Sequence, residues 1–159
     1  MRIATIGIYG WTPERFLAAL RTADVRVVLD VRQRRGVRGP EYAWANSLRV
    51  QAALENAGID YRHHKELAPT TDLRQVQYDE DARHGIGKRS RVELAPEYRQ
   101  RYLEEILDRV DLIELVRKLP AEGLAALMCV ERDPGACHRS LIAECLAAEY
   151  GVAVLNLRP

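Results

Sequence analysis

The chain has 159 residues, of which 47% are hydrophobic and 30% are charged, and its formal net charge is +1. This length fits one domain with a single core, and the hydrophobic content excludes a disordered chain. No apolar run approaches the ~18–20 residues that span a bilayer, and the apolar start is too short for a signal peptide, so we expect a cytoplasmic protein without a membrane partner. The three cysteines, an odd number, argue against a disulfide framework.

The first 63 residues predict alternating strands and helices. Thr12 followed by Pro13 indicates a helix start, because threonine is a favoured N-cap and proline suits the first helical position. A Val/Leu run over residues 25–31 shows little alternation, which is typical of a parallel strand covered on both faces. The elements predicted here are strands over 2–6, 25–31 and 59–63, a helix from Pro13, a loop over 33–45 and a helix over 47–56.

The rest of the chain begins with a segment that has no clear period. Residues 64–95 are polar and rich in charge, and we expect a long charged loop or insertion there, broken by short helical turns. From Pro96 to about Leu119, apolar side chains recur at spacings of three and four, which predicts a long helix, continuous or with one break. The last predicted elements are a strand over 124–130, a turn over 132–135, a helix over 137–150 and a strand over 152–157. This order predicts one three-layer α/β domain over residues 1–159, with a mostly parallel sheet of about five strands.

Unusual residues stand at three of the predicted strand ends. In open α/β sheets, ligands bind beyond the carboxyl ends of the strands, so we expect a ligand site along that edge of the sheet. A glycine there, Gly7, would allow the backbone to approach the ligand closely. The residues concerned are Gly7 and Tyr9 after the first strand, Asp30 and Arg32 after the second, and Cys129 and Glu131 after the fourth.

Four motifs of the sequence resemble the domain-of-unknown-function family 488. They are Thr5-Ile6-Gly7, Asp30-Val31-Arg32, the segment Gly58-Ile59-x-Tyr61-x-His63, and Cys129-x-Glu131 with the downstream Cys137-His138-Arg139. The resemblance covers nearly the whole chain and implies a Rossmann-like α/β fold with a site at the cysteine-containing motif, but it implies no reaction. Ile8 stands where relatives often carry His or Tyr directly after the glycine, and Tyr9 follows it.

The Cys-His-Arg segment at the start of the last predicted helix suits anion binding and thiol chemistry. The first amides of a helix lack internal partners and carry partial positive charge, and Arg139 adds a bidentate fork. The same field lowers the pKa of a thiol, so Cys137 is a candidate nucleophile. The alternative is that Cys137 only packs at the junction of strand and helix.

A metal site is another interpretation of the same cluster. Cys129, Glu131, Cys137 and His138 offer thiolate, carboxylate and imidazole groups, which suit zinc or iron. The sequence lacks the paired Cys-x-x-Cys of structural zinc sites, and adjacent Cys137 and His138 are expected to point different ways on a helix. We therefore assign no metal ligand from the sequence.

Two basic clusters complete the candidate surface. With neighbouring aromatic side chains, they fit contacts to a phosphate backbone with stacked bases. The alternatives are that these are ordinary solvated loops, or that arginines and carboxylates pair in a structural network along the sheet edge. The clusters comprise Arg32, Arg34, Arg35 and Arg38, then Arg83, His84, Lys88, Arg89 and Arg91, with Tyr42, Trp44 and Tyr78 as the aromatic residues.

Together these patterns predict a protein that binds a phosphate-bearing ligand, a nucleotide or nucleic acid, with hydrolytic or transfer chemistry. Arg32 and Arg139 would hold the anion, Cys137 would act as nucleophile, and Glu131 or His63 would transfer protons. A non-catalytic nucleic-acid-binding module and a metalloprotein that uses the Cys/His/Glu cluster are the alternatives. No particular cofactor or oligomeric state is indicated. The full set of ligand-binding candidates is Gly7, Tyr9, Asp30, Arg32, Cys129, His138 and Arg139.

Overall fold

Five strands and six α-helices follow one another along the chain in this computed structural model, which describes residues 1–159. The strands are β1 (Arg2–Gly7), β2 (Val25–Asp30), β3 (Asp60–His63), β4 (Leu124–Cys129) and β5 (Ala153–Leu157). The helices are α1 (Pro13–Thr22), α2 (Ser47–Asn56), α3 (Thr71–Arg83), α4 (Pro96–Glu105), α5 (Leu112–Arg117) and α6 (His138–Tyr150). Short 3-10 turns lie at Pro40–Ala45, Lys65–Leu67, Leu107–Arg109 and Pro134–Ala136.

All five strands are parallel and form one sheet in the order β3-β2-β4-β1-β5. The predicted α/β fold with a mostly parallel sheet of about five strands is therefore confirmed. Strand β4 lies between β1 and β2, and its carboxyl end pairs Cys129 with Gly7 and Met128 with Asp30. Because these three strands are neighbours, the polar residues that follow them meet at one edge of the sheet.

Helices cover both faces of the sheet, which gives three layers. On one face, Phe16 of α1 and Val50 of α2 pack in the same cluster as Val28 of β2. On the other face, residues of α3 to α6 such as Tyr102 pack with Leu127 of β4. Every residue of β4 is buried, which explains why its sequence is apolar without alternation.

The segment expected to be a charged loop, residues 64–95, contains the 13-residue helix α3. The buried face of α3 carries the polar residues Gln77 and Asp81 beside Leu73, so no apolar period reveals the helix. These polar groups are paired, since Gln77 accepts a hydrogen bond from the amide of Ala95 and donates one to Asp81. The missing apolar face thus reflects a polar contact in the interior of the protein, not a loop.

The long helix predicted from Pro96 to about Leu119 is broken in two. Helix α4 ends at Glu105, a 3-10 turn follows, and α5 begins after Asp111, whose side chain accepts a hydrogen bond from the amide of Ile113. An aspartate in this N-cap position favours a new helix start. None of the six α-helices combines the length and the apolar character that a membrane crossing requires.

Candidate functional site

A narrow cavity opens at the carboxyl ends of β2 and β4, beside α3. Its volume is about 50 Å³, which is enough to admit water. It adjoins a groove of about 660 Å³, and five residues line both spaces: Arg34, Arg74, Tyr78, Lys88 and Val130. We call these spaces the inner cavity and the outer groove. The inner cavity is lined further by Arg91, Tyr98, Cys129, Glu131, Cys137 and His138, among others.

Two thiols and one imidazole converge in the inner cavity. Cys129 ends β4, Cys137 is the N-cap of α6, and His138 is the first residue of that helix. The Nδ1 atom of His138 lies 3.8 Å from the Sγ of Cys137 and 3.9 Å from the Sγ of Cys129. The prediction that Cys137 and His138 diverge on a helix is wrong, because the backbone of Cys137 is extended (φ −141°, ψ 143°) and only His138 is helical.

The other ring nitrogen of His138 is held by the main chain. Its Nε2 lies 2.8 Å from the carbonyl oxygen of Val31 and donates a hydrogen bond to it. With the proton on Nε2, the Nδ1 of a neutral ring carries a lone pair directed at the two thiols. The ring also packs against Tyr102, with centroids 5.4 Å apart, so two contacts fix its orientation.

The thiols and the imidazole differ in their acid–base properties. Burial by itself would raise the pKa of the Cys137 thiol, but a hydrogen bond from Cys129 and the positive charges of His138 and Arg139 hold this pKa well below its usual value. Burial and the interaction with Cys137 raise the pKa of Cys129 well above its usual value. Burial opposes charging of His138, yet the charge of Cys137 raises the pKa of this imidazole. Of the two thiols, Cys137 is therefore the one whose surroundings favour the thiolate.

Glu131 brings a carboxylate to the same cavity, two residues beyond the end of β4. Its Oε2 accepts a hydrogen bond from the Cys129 thiol at 3.6 Å. Its Oε1 lies 3.0 Å from Nη2 of Arg91 and 3.8 Å from Nζ of Lys88. Burial and the nearby charge of Cys137 raise the pKa of the Glu131 carboxyl in spite of these two cations. A carboxyl group placed in this way is able to exchange a proton with a group in the cavity.

Helix α3 supports the cavity through charged contacts that the sequence pattern does not reveal. Arg91 donates a hydrogen bond from Nη1 to Asp81 at 2.6 Å and one from Nε to the carbonyl of Ala136 at 3.2 Å. Its buried charge thus lies between two carboxylates, those of Asp81 and Glu131. The i,i+4 pair of Gln77 and Asp81 is the only sequence signal of this contact, and it gains meaning only once α3 is known to be a helix.

Asp30 and Arg32 pair with each other. Arg32 is 2% exposed, and its Nε and Nη2 donate to the two carboxylate oxygens of Asp30 at 2.9 and 2.8 Å. Its Nη1 donates to the carbonyl of Ala45, and Asp30 accepts a further hydrogen bond from the Tyr61 hydroxyl at 2.6 Å. Although Arg32 borders the inner cavity, this geometry matches the structural network considered from the sequence.

Arg139 and Gly7 support the loop after β4 from outside the cavity. Arg139 is fully buried, and its Nη1 and Nη2 donate to the carbonyls of Glu131 and Arg132 at 2.7 and 3.2 Å. A Cβ atom on Gly7 would overlap the Glu131 carbonyl oxygen. Neither Arg139 nor Gly7 lines the inner cavity or the outer groove. The close approach that Gly7 allows is to this loop.

His63 and Tyr9 are also outside the inner cavity. The Nε2 of His63 lies 3.0 Å from the carbonyl oxygen of Arg32, and His63 lines neither space. Tyr9 lines the outer groove, where its ring centroid is 5.1 Å from that of Tyr42 and the guanidinium of Arg89 lies 5.2 Å from both. Of these two candidates, only Tyr9 is placed beside space that a ligand can enter.

The two basic clusters divide between the outer groove and other contacts. The members that line the groove are Arg34, Arg38, Lys88 and Arg89. The others pair elsewhere: Arg32 with Asp30, Arg83 and His84 with Glu80, Arg91 with Asp81 and Glu131, and Arg35 with the Tyr61 hydroxyl. Arg74 of α3 joins the groove, although its surroundings in the sequence do not single it out.

The family model described as "Domain of unknown function DUF488" matches residues 12–146. The chain belongs to this family. The match spans the site residues from Asp30 to Arg139 and confirms the family that the sequence resembles, while Gly7 and Tyr9 lie before the matched residues. Neither the comparison with curated proteins nor that with solved structures finds a match.

The site of this DUF488 protein offers two kinds of chemistry. A thiolate beside an imidazole and a carboxyl group is able to attack an electrophilic atom and form a covalent intermediate. Two thiolates and an imidazole are also common ligands of a metal ion. Both kinds of chemistry would use the inner cavity, which adjoins the outer groove.

Proposed function

We propose that this DUF488 protein binds a phosphate-bearing ligand, a nucleotide or nucleic acid, in the outer groove, and that hydrolytic or transfer chemistry takes place in the adjoining inner cavity. One observation carries the proposal. Five cationic side chains and no acidic one line the outer groove: Arg34, Arg38, Arg74, Lys88 and Arg89. A concave surface lined by one sign of charge attracts ligands of the other sign.

Three of these cations have no carboxylate partner. Arg34 and Arg38 take part in no ion pair, and Arg74 donates only to the neutral side chains of Gln33 and Tyr78. The bonds of Arg74 hold its guanidinium in place without compensating its charge. A fixed guanidinium of this kind binds a phosphate through two parallel hydrogen bonds.

The size and the aromatic lining of the groove fit a nucleotide. Its volume of about 660 Å³ lies within the ~300–1,000 Å³ of small-molecule sites. Tyr9 and Tyr78 line it, and an aromatic ring there offers a stacking surface for a base. Phosphate contacts and base stacking together favour a nucleotide, free or as part of a nucleic acid.

The groups that would carry out chemistry lie in the inner cavity. Cys137 and Glu131 face the space that continues the groove, so a phosphate bound by Arg74 or Lys88 would lie close to both. Cys137 supplies a thiolate and Glu131 a carboxyl group for proton transfer. His63 lies apart from this space and has no role in the proposal.

The test measures binding of a fluorescent ATP analogue and of a labelled single-stranded RNA at low salt. Arg74→Gln should weaken binding of the preferred probe about tenfold or more, because a charge-assisted hydrogen bond contributes about 1.5–3 kcal/mol. Arg117→Gln is the matched control, since Arg117 lies on α5, pairs with Glu114 and borders neither space. Failure of both probes to bind, or an equal loss in the control, would contradict the proposal.

A non-catalytic nucleic-acid-binding module is the second candidate, because the cationic lining of the groove suits a phosphate backbone without any chemistry. A module of this kind would bind RNA with an affinity that falls steeply with salt, and each groove arginine removed would lower the salt dependence by about one phosphate contact. In the enzyme, Cys137→Ser should abolish turnover of the bound ligand while its affinity changes little. If the protein is a non-catalytic module, neither the wild type nor Cys137→Ser turns over the bound ligand.

A further inference from the structure

We infer that Cys129, Cys137 and His138 form a tetrahedral zinc site whose fourth position faces the inner cavity. One ligand atom from each of the three residues lies within 4.8 Å of the other two, and all three residues are buried. The inference concerns a cofactor and goes beyond the proposed ligand of the outer groove, which is able to bind with or without the metal. In the zinc-bound protein Cys137 would be a metal ligand, and a zinc-bound water would replace it as the nucleophile.

The distances between the donor atoms fit one metal ion. With Zn–S bonds of about 2.3 Å and Zn–N bonds of about 2.0–2.1 Å, a tetrahedral site separates sulfur from nitrogen by about 3.5–3.6 Å. The two Sγ–Nδ1 distances are 3.8 and 3.9 Å. Each sulfur atom therefore needs to approach Nδ1 by only about 0.3 Å, and the two sulfur atoms lie within 4.8 Å of each other.

His138 has the contact on its far side that metal-bound histidines usually have. A ligating histidine donates its other ring N–H to a carbonyl or carboxylate, which fixes the ring and raises its basicity. In this protein Nε2 donates to the carbonyl of Val31 at 2.8 Å, which leaves Nδ1 free to bind the ion. The main chain at the end of β2 thus orients the ligand before any metal arrives.

The charges around the centre suit a divalent ion. Zinc binding would displace the thiol proton of Cys129, and the ion would then neutralise the charges of two thiolates in a region where Cys129 and Cys137 are 4% and 1% exposed. Arg91 and Lys88 contact Glu131 and form no hydrogen bond with either thiol. The third cysteine, Cys145, lies further along α6 and is not part of the group.

The open fourth position indicates a catalytic zinc site and not a structural one. Structural zinc sites use four protein ligands, whereas catalytic sites use three and leave one position for water or substrate. Here the fourth side is the inner cavity, and Glu131 is the nearest carboxylate, with Oε2 3.6 Å from the Sγ of Cys129. A zinc-bound water at this position would be a nucleophile at neutral pH, which favours hydrolysis over thiol-based transfer.

The test uses the full chain, freed of metal by a chelator and titrated with Zn²⁺ or Co²⁺ alone. Wild-type protein should bind one ion per chain, and the Co²⁺ form should show thiolate-to-cobalt charge-transfer bands and the visible bands of tetrahedral cobalt. Cys129→Ser, Cys137→Ser and His138→Gln should each weaken Zn²⁺ binding by more than about tenfold. Cys145→Ser is the matched control and should bind like wild type. Bound zinc should also protect two of the three thiols from a thiol reagent.

Several outcomes would overturn the inference. Wild-type protein that binds no stoichiometric Zn²⁺, a Cys129→Ser variant that binds like wild type, or a loss of binding in Cys145→Ser would each do so. If a variant of one of the three metal-ligating residues fails to fold, as judged by circular dichroism, the Co²⁺ spectrum of wild type still shows whether thiolates bind the metal. Arg74→Gln should bind Zn²⁺ normally, so a failed groove proposal and a failed metal proposal give different results.

Discussion

The buried pair of Asp30 and Arg32 should determine stability and contribute little to ligand binding. Asp30 is fully buried and accepts four hydrogen bonds: three from Arg32, including its backbone amide, and one from Tyr61. Asp30→Asn keeps the shape of the side chain and removes its charge. The guanidinium of Arg32, with 1% of its side chain exposed, then remains in the interior without a counter-ion.

The burial of Arg32 determines how much the free energy of unfolding should fall in Asp30→Asn. Removing one partner of a buried ion pair costs about 3–5 kcal/mol, because the remaining charge is neither hydrated nor compensated. For a chain of this length, a loss of that size lowers the Tm by about 6–20 °C. A second change, Arg32→Met, removes the unpaired guanidinium. The double variant should therefore regain part of the free energy of unfolding that Asp30→Asn loses.

The matched control is the pair of Asp24 and Arg26, which has the same residue types at the same sequence spacing. Its side chains are 60% and 58% exposed, and the ion pair distance is 2.8 Å, equal to that of the buried pair. Asp24→Asn should change stability by about 0–1 kcal/mol, because water screens the exposed pair. Asparagine also tolerates the left-handed backbone at position 24 (φ 54°).

Urea unfolding followed by circular dichroism measures these differences, and ligand titration of the folded variants measures binding. A free energy of unfolding for Asp30→Asn within about 1 kcal/mol of the wild-type value would refute this prediction, because a buried and unpaired guanidinium should destabilise the protein by more than that. A large loss of ligand affinity in a variant that is still folded would instead indicate that Arg32 contacts the ligand.

Two further substitutions test the packing around the site. Gly7→Ala should lower the free energy of unfolding by about 1–3 kcal/mol or prevent folding, because the added Cβ overlaps the Glu131 carbonyl. The control is Gly36→Ala, whose Cβ would meet only Asn46 at 3.9 Å. It should leave the free energy of unfolding nearly unchanged when both variants are unfolded with urea. Tyr102→Phe should cost about 1–2 kcal/mol, since its hydroxyl donates to the carbonyl of Leu67 at 2.6 Å in the core. Tyr98→Phe is its control, because Tyr98 stacks on Tyr102 and its hydroxyl has no hydrogen-bond partner in the protein. Equal effects of the two tyrosine substitutions would contradict the role given to the Leu67 hydrogen bond.

The sequence by itself predicts those elements whose signals are local. The Thr12-Pro13 start of α1 and the left-handed Gly151 that ends α6 depend only on nearby backbone groups, and both agree with the structure. The apolar runs of β2 and β4 indicate strands covered on both faces, because such strands have no solvent side to create alternation. From these signals the fold class and the edge that carries the site both follow.

Helix α3 and the chemistry of the site depend on contacts between residues that are far apart in the sequence. The polar face of α3 is buried only because Arg91 and Ala95 supply partners for Asp81 and Gln77, and no local pattern encodes this. The same holds for Arg139, whose sequence position suggests an anion-binding fork, while its Nη1 and Nη2 donate to two carbonyls of the loop after β4.

The cysteine-containing motif shows most clearly what depends on the sequence and what depends on tertiary structure. Its residues are recognisable in the sequence, but their directions depend on the backbone at Cys137, which is extended at the N-cap and turns the thiol towards the imidazole of the next residue. Cys129 reaches the same point because β4 ends there beside the carbonyl of Val31 that orients His138. The sequence thus determines which groups are present. Tertiary structure alone decides which of them meet, because the meeting point is formed by the ends of two neighbouring strands and the start of a helix.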